Sequence, residues 1–130
     1  MQKLEHDLLT NKYTTVSHED AENIKFNAPH WFVVEPSFNY VKSIGKQHEP
    51  ISPLSQIRFQ EGPIKECGVN GVCNEDLIAM VIIRLEHFQK SEFACRDNAI
   101  AITKLEEAML WLRKRTVARE ARGVEGTHVK

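Results

Sequence analysis

No apolar run in this sequence approaches the length of a membrane span, and no charged-then-apolar leader opens it, so a chain that stays in the cytosol is expected. Cysteine is scarce and odd in number. Cys67, Cys73 and Cys95 lack CxxC spacing, which leaves free thiols in a reducing compartment as the simple reading. The histidines (His6, His18, His30, His48, His87, His128) form no HExxH or i,i+4 pair, so a metal site would need convergence from distant parts of the chain. The formal charge of −1 gives no bulk attraction to nucleic acid or membrane. GxSxG, P-loop, GxGxxG and cysteine–histidine signatures are missing, and the adjacent Glu106 and Glu107 point to different parts of a helix surface, so catalysis has no visible support. There are no internal repeats and no low-complexity tract, and the length fits a compact core with an appended cap.

What is present gathers between Asn74 and Gly123, where two helical segments are joined by a short polar link. The first, NEDLIAMVIIRLEHFQK, places Leu77, Val81, Leu85 and Phe88 on one stripe with Ile78 and Ile82 on its flank. Asn74 is the expected N-cap, with Glu75 and Asp76 suiting the positive end of the helix. The second begins between Ser91 and Asp97, carries an apolar stripe of Ile102, Leu105, Met109 and Leu112, and is expected to stop at Gly123 as C′. So short a link makes the helices antiparallel neighbours. One hairpin cannot also bury Met80, Ile83 and Trp111, so another chain is expected to complete the core.

Ahead of this hairpin the sequence reads as a small strand-bearing cap. Leu4 and Leu8 suggest a short amphipathic helix over Met1–Leu9, and SHEDAEN a capped helical turn from Ser17 to Asn23. HWFVVEP, rich in β-branched and aromatic residues, predicts a strand ended by Pro36, and FNYVKSI alternates weakly as a second strand closed by Gly45. Lys46–Pro53 reads as a loop. SQIRFQEGPIKE predicts a hairpin turning at Glu61-Gly62 whose return strand, carrying Pro63, lies at an edge, and CGVNGV is a tight connector. The final VEGTHVK is expected to fray unless a partner holds it. The fold class expected is α+β, oligomeric: a small antiparallel strand-bearing part over residues 1–68, then a long antiparallel helical hairpin over 69–130.

Two clusters carry binding chemistry. At the hairpin tip, Phe88 should lie close to Arg96 and Asn98, offering the stacking face, guanidinium and carboxamide that a purine phosphate needs. The bland alternative makes Phe88 core and Asn98 or Asp97 a helix cap. In the second cluster Arg115, Arg119 and Arg122 share a helical face, where like charges repel unless an anion or an acidic partner neutralises them. They also complement the negative end of the helix, and Glu106 and Glu107 of a neighbouring subunit would serve equally as partners. Lys104 is either a phosphate contact or a solvated lysine. Asn98 and Arg115 stand about 25 Å apart along a helix, so one small ligand cannot reach both within one subunit.

NGVCNEDL, RDNAIAITKLEEAMLWL and RTVAREARGVEGT, within the last 60 or so residues, resemble the helical-hairpin domain of phage nucleotide sponges, shared by Thoeris anti-defence and anti-CBASS proteins. With strands before the hairpin, the chain resembles the Thoeris type more than the all-helical one. The resemblance implies a protein without catalytic residues or cofactor that captures immune second messengers in the cytoplasm of the infected host. It implies as ligands cyclic ADP-ribose isomers and cyclic di- or trinucleotides, held at separate sites of a homohexamer, with no membrane or DNA partner. Phe88 and Asn98 fall where such proteins line an ADP-ribose pocket, and Arg115 and Arg119 where they grip cyclic trinucleotides; Trp31, Tyr40 and Arg58 are candidate contributors from the cap. A phosphodiesterase, or a phage structural or nucleic-acid-binding protein working through the arginine cluster, are the competing readings.

Overall fold

A computed structural model describes residues 1–44 and 51–130; the loop expected over Lys46–Pro53 lies largely outside them. The chain forms two compact units, Met1–Glu61 and Gly62–Lys130.

The first unit is a four-stranded antiparallel meander in the order β1 (Gln2–Lys3), β2 (Thr14–His18), β3 (Trp31–Pro36), β4 (Ser55–Arg58). Phe32 stands opposite His18 on one side and Ile57 on the other, so these side chains share a face. Phe32 makes edge contacts there with His18 and Phe59, ring centroids 5.7 and 5.5 Å apart. Trp31 opposes Arg58 on the other face. The Glu19 carboxylate fastens the start of β3, accepting from the main-chain N–H of His30 and of Trp31 at 2.9 Å each.

Several local expectations give way to tertiary contacts. Residues 1–9 are not a helix: Gln2 and Lys3 pair with His18 and Ser17, the Leu4 N–H donates to the Val16 carbonyl at 2.7 Å, and Leu8 is exposed. A helix this short is marginal, and an open strand edge offers its backbone better partners. FNYVKSI is a helix, α1 (Phe38–Ile44), not a strand. Ser37, only 5% exposed, donates its hydroxyl to the Lys12 carbonyl at 2.6 Å and its N–H to that of Tyr13, and its carbonyl opens the helix by accepting from the Val41 N–H. Tyr40 then packs edge-on against Tyr13, centroids 5.0 Å apart. The helical turn expected from Ser17 shrinks to a 3-10 turn at Ala21–Asn23, because Ser17 and His18 belong to β2.

The chain after Glu61 does not return as a strand. Gly62 takes φ +77° and the Pro63 carbonyl accepts from the N–H groups of Glu66 and Cys67, opening the single turn α2 (Ile64–Cys67). Proline suits the start of a helical turn, where no N–H is required of it.

The hairpin is α3 (Asn74–Gln89) and α4 (Arg96–Ala121). Its caps are cysteines. Cys73, not Asn74, precedes α3, its N–H donating to the Asp76 carboxylate at 2.8 Å, and Cys95 precedes α4, its Sγ accepting from the Asn98 N–H at 3.5 Å. Burial on α3 centres on Ile82, rotated from the expected Val81 stripe, while Ile102, Leu105, Met109 and Leu112 are half-buried as the spacing requires. Gly123, φ +72°, stops α4: the Val124 N–H reaches the Arg119 carbonyl (3.1 Å) and the Gly123 N–H that of Glu120 (3.0 Å), a Schellman turn. Ile82 is the sole buried apolar side chain among the described residues, and Met80, Ile83, Leu110, Trp111 and Val117 stay exposed.

Candidate functional site: the hairpin tip and the arginine end

The link between α3 and α4 is braced by side chains. The Gln89 carboxamide donates to the Cys95 carbonyl (2.9 Å) and accepts from the Cys95 N–H (3.0 Å), setting the last turn of α3 beside the start of α4. Ser91 donates its hydroxyl to the Phe88 carbonyl (2.6 Å) and accepts from the Phe93 N–H (3.1 Å). Arg84, His87, Phe88, Ser91 and Phe93 line a hollow of about 480 Å³ beside this brace, within the size range of small-molecule sites. The Arg84 guanidinium lies 5.3 Å from the Phe88 ring centroid. An aromatic face under a cation provides stacking and anion pairing together.

Arg96 and Asn98 occupy the first turn of α4 and are not among the residues lining this hollow. Because Cys95 is the cap, the Asn98 side chain is not used as one. Among the described residues its carboxamide makes no hydrogen bond, and Arg96 makes no ion pair. Arg96 thus adds a cation where the helix is already positive, an arrangement suited to an anion. Sequence reasoning missed Arg84, His87 and Phe93; Arg84 stands four residues before Phe88, a spacing that already puts both on one helical face.

At the other end, Arg115 is exposed with no ion pair among the described residues, whereas Arg119 and Arg122 are engaged. The Arg119 Nη2 donates to the carbonyls of Val124 and Thr127, both at 3.0 Å, and the Arg122 Nη2 donates to the Lys130 main-chain oxygen. Lys104 pairs with Glu107 at 3.6 Å on the surface, a contact of small value in water. Between the helices a groove of about 580 Å³ is lined by Glu75, Ile82, Glu106, Met109, Leu110, Arg113 and Thr116. Lys114 covers the Trp111 ring at 4.6 Å.

Trp31, Tyr40 and Arg58 belong to the other compact unit. There the Arg58 guanidinium stacks 4.4 Å from the Trp31 ring, and the Trp31 indole nitrogen is buried without a hydrogen-bond partner among the described residues.

A strand-bearing unit followed by a braced helical hairpin with polar clusters at its two ends defines the class, and the comparisons agree. The family model described as the Acb2/Tad1 hairpin domain matches residues 53–117, and the chain belongs to that family. A relative from Bacillus phage SBSphiJ7, Thoeris anti-defense 1, is 51% identical over an alignment spanning the whole of both chains.

Proposed function

We propose that this protein is a phage anti-defence sponge, which binds cyclic nucleotide immune messengers and withholds them from their receptors without cleaving them. The observation that carries the reading is the tip hollow: a guanidinium over an aromatic ring, in a chain of the Acb2/Tad1 hairpin family whose full-length relative is named for acting against Thoeris. Cyclic ADP-ribose isomers match the tip, where adenine stacks on Phe88 while Arg84, Arg96 and the Asn98 carboxamide meet the diphosphate and sugar edge. Cyclic di- and trinucleotides of CBASS match the arginine end, where Arg115, Arg119 and Arg122 answer several phosphates.

Sequestration requires enclosure, and one chain does not provide it. Phe88 is 36% exposed and Trp111 68%, so a second copy is needed to wall in the tip and cover the apolar faces. A homohexamer does both, since pockets between subunits surround a ligand, and a three-fold axis presents one arginine set to each phosphate of a three-phosphate ring. The site of action is the host cytoplasm; no helix among the described residues is long and apolar enough to cross a membrane.

The test is recovery. The protein is incubated with a cyclic ADP-ribose isomer, or separately with a cyclic trinucleotide, then heat-denatured and the supernatant analysed by chromatography. Intact ligand is expected in full, whereas a linear product would establish a hydrolase and end the sponge reading. A nucleic-acid-binding role through the arginines would show as salt-sensitive retardation of DNA in a gel, which is not expected.

A further inference from the structure

Residues 124–130, expected to fray, are instead folded back onto α2. The Lys65 N–H donates to the Gly126 carbonyl (2.8 Å), and the His128 N–H donates to the Glu66 carboxylate (2.7 Å). The His128 Nδ1 lies 2.9 Å from the same carboxylate, and Lys65 pairs with Glu125 at 4.0 Å. A side chain at Gly126 would press on the Lys65 side chain and strain the backbone. A Cβ there would stand 2.9 Å from the Lys65 Cγ, and φ is +74°.

What this strap holds is the arginine end. Both ways in which a guanidinium grips a phosphate with two parallel bonds, end-on through Nη1 and Nη2 or side-on through Nε and Nη2, use Nη2. In Arg119 the Nη2 donates to both the Val124 and the Thr127 carbonyl, and in Arg122 the Nη2 donates to Lys130. Every one of these acceptors is on the strap. The Val124 carbonyl is fixed further by the Thr127 hydroxyl at 2.6 Å. With the strap closed, the Arg119 Nη2 that either bidentate grip needs is engaged by two strap carbonyls, and Arg115 alone is unencumbered.

We propose that residues 124–130 are an intramolecular latch on the arginine cluster, which an incoming phosphodiester must displace to gain a two-bond grip on Arg119. The latch rests on the reading of that cluster as a phosphate-binding site. It makes occupancy of the cluster and docking of the strap on Lys65 and Glu66 mutually exclusive, so the Glu66–His128 contact sets how readily the site opens.

The experiment compares three forms by titration calorimetry against cyclic tri-adenylate: the full chain, a chain ending at Gly123, and Glu66→Gln, which keeps every strap residue. With the two strap hydrogen bonds on Arg119 and the one on Arg122 removed, the shortened chain is expected to bind about tenfold tighter, with Glu66→Gln between it and the full chain. Exchange of the Lys65 and His128 amides, the two that donate across the contact, is expected to quicken in the full chain when ligand is added. Equal or weaker binding by the shortened chain, or strap protection that ligand leaves unchanged, overturns the latch while leaving the phosphate site standing. Absence of binding by all three forms overturns the phosphate site and the latch with it.

Discussion

Gln89 and Cys95 are joined twice, side chain to main chain, through an accepting and a donating group of one carboxamide. That pair of bonds, and not the length of the link alone, sets the register of the two helices at the tip, and the hollow beside Phe88 inherits its shape from them. Replacing Gln89 by Ala removes both at once. At about 0.5–1.5 kcal/mol each, the expected loss is about 1–3 kcal/mol of stability, read as a lower unfolding midpoint in denaturant. Messenger binding is expected to weaken as well; an unchanged midpoint would show that the link holds its form without the brace.

The tip and the arginine end are expected to fail separately. Phe88→Ala, Arg84→Ala and Asn98→Ala each remove a proposed ligand contact and are expected to weaken a cyclic ADP-ribose isomer at least tenfold, about 1.4 kcal/mol, with little effect on a cyclic trinucleotide. Arg115→Ala is expected to do the reverse. Calorimetric titration of each variant with both ligands decides the matter, and a single substitution that abolishes both would dismiss the two-site arrangement.

The hairpin was legible because its periodicity persists through 16 residues of α3 and 26 of α4, long enough for spacing alone to identify a helix. α1 was not, because seven residues fit a strand alternation as well as two helical turns, and the deciding bond runs from Ser37 back to Lys12. β1 depends on an edge supplied by β2, which no window around Gln2 contains. The cap positions were off by a residue or open for a chemical reason: the Cys95 side chain does what serine or aspartate usually does, and at Cys73 the Asp76 carboxylate reaches back to the main-chain N–H. At the tip, Phe88, singled out by its type, lines the hollow, whereas Asn98, singled out with it, does not. The engagement of Arg119 was not legible, because it depends on a strap anchored by Glu66 and His128, 62 positions apart.

Leu110 and Trp111 are each 68% exposed on α4, and Met80 and Ile83 are exposed on α3. Covering a large apolar side chain is worth about 1.5–3 kcal/mol, so a few such positions repeated by symmetry suffice to hold subunits together. Leu110→Asp combined with Trp111→Asp is expected to reduce the proposed oligomer to single chains in light scattering and to abolish the proposed messenger retention, while the helical circular dichroism signal remains. Retention of ligand by a monomer would show that enclosure does not depend on a second copy.

The strap should respond to acid in one direction. The Glu66 carboxyl is held below its ordinary value of 4.5 chiefly by its hydrogen bond with the His128 side chain; loss of hydration, the next largest effect, opposes this, and the His128 main-chain N–H and its charge lower the value further. Lys65 on the same turn and Glu125 on the strap are the other charged groups at this contact. The folded value lies below the unfolded one, so the strap's docking contribution is complete above 4.5 and is lost as the pH falls through the lowered folded value. The His128 amide resonance is therefore expected to shift with a midpoint below 4.5, and Glu66→Gln is expected to remove that transition. A midpoint above it, or a transition that survives in Glu66→Gln, would mean that another group holds the strap.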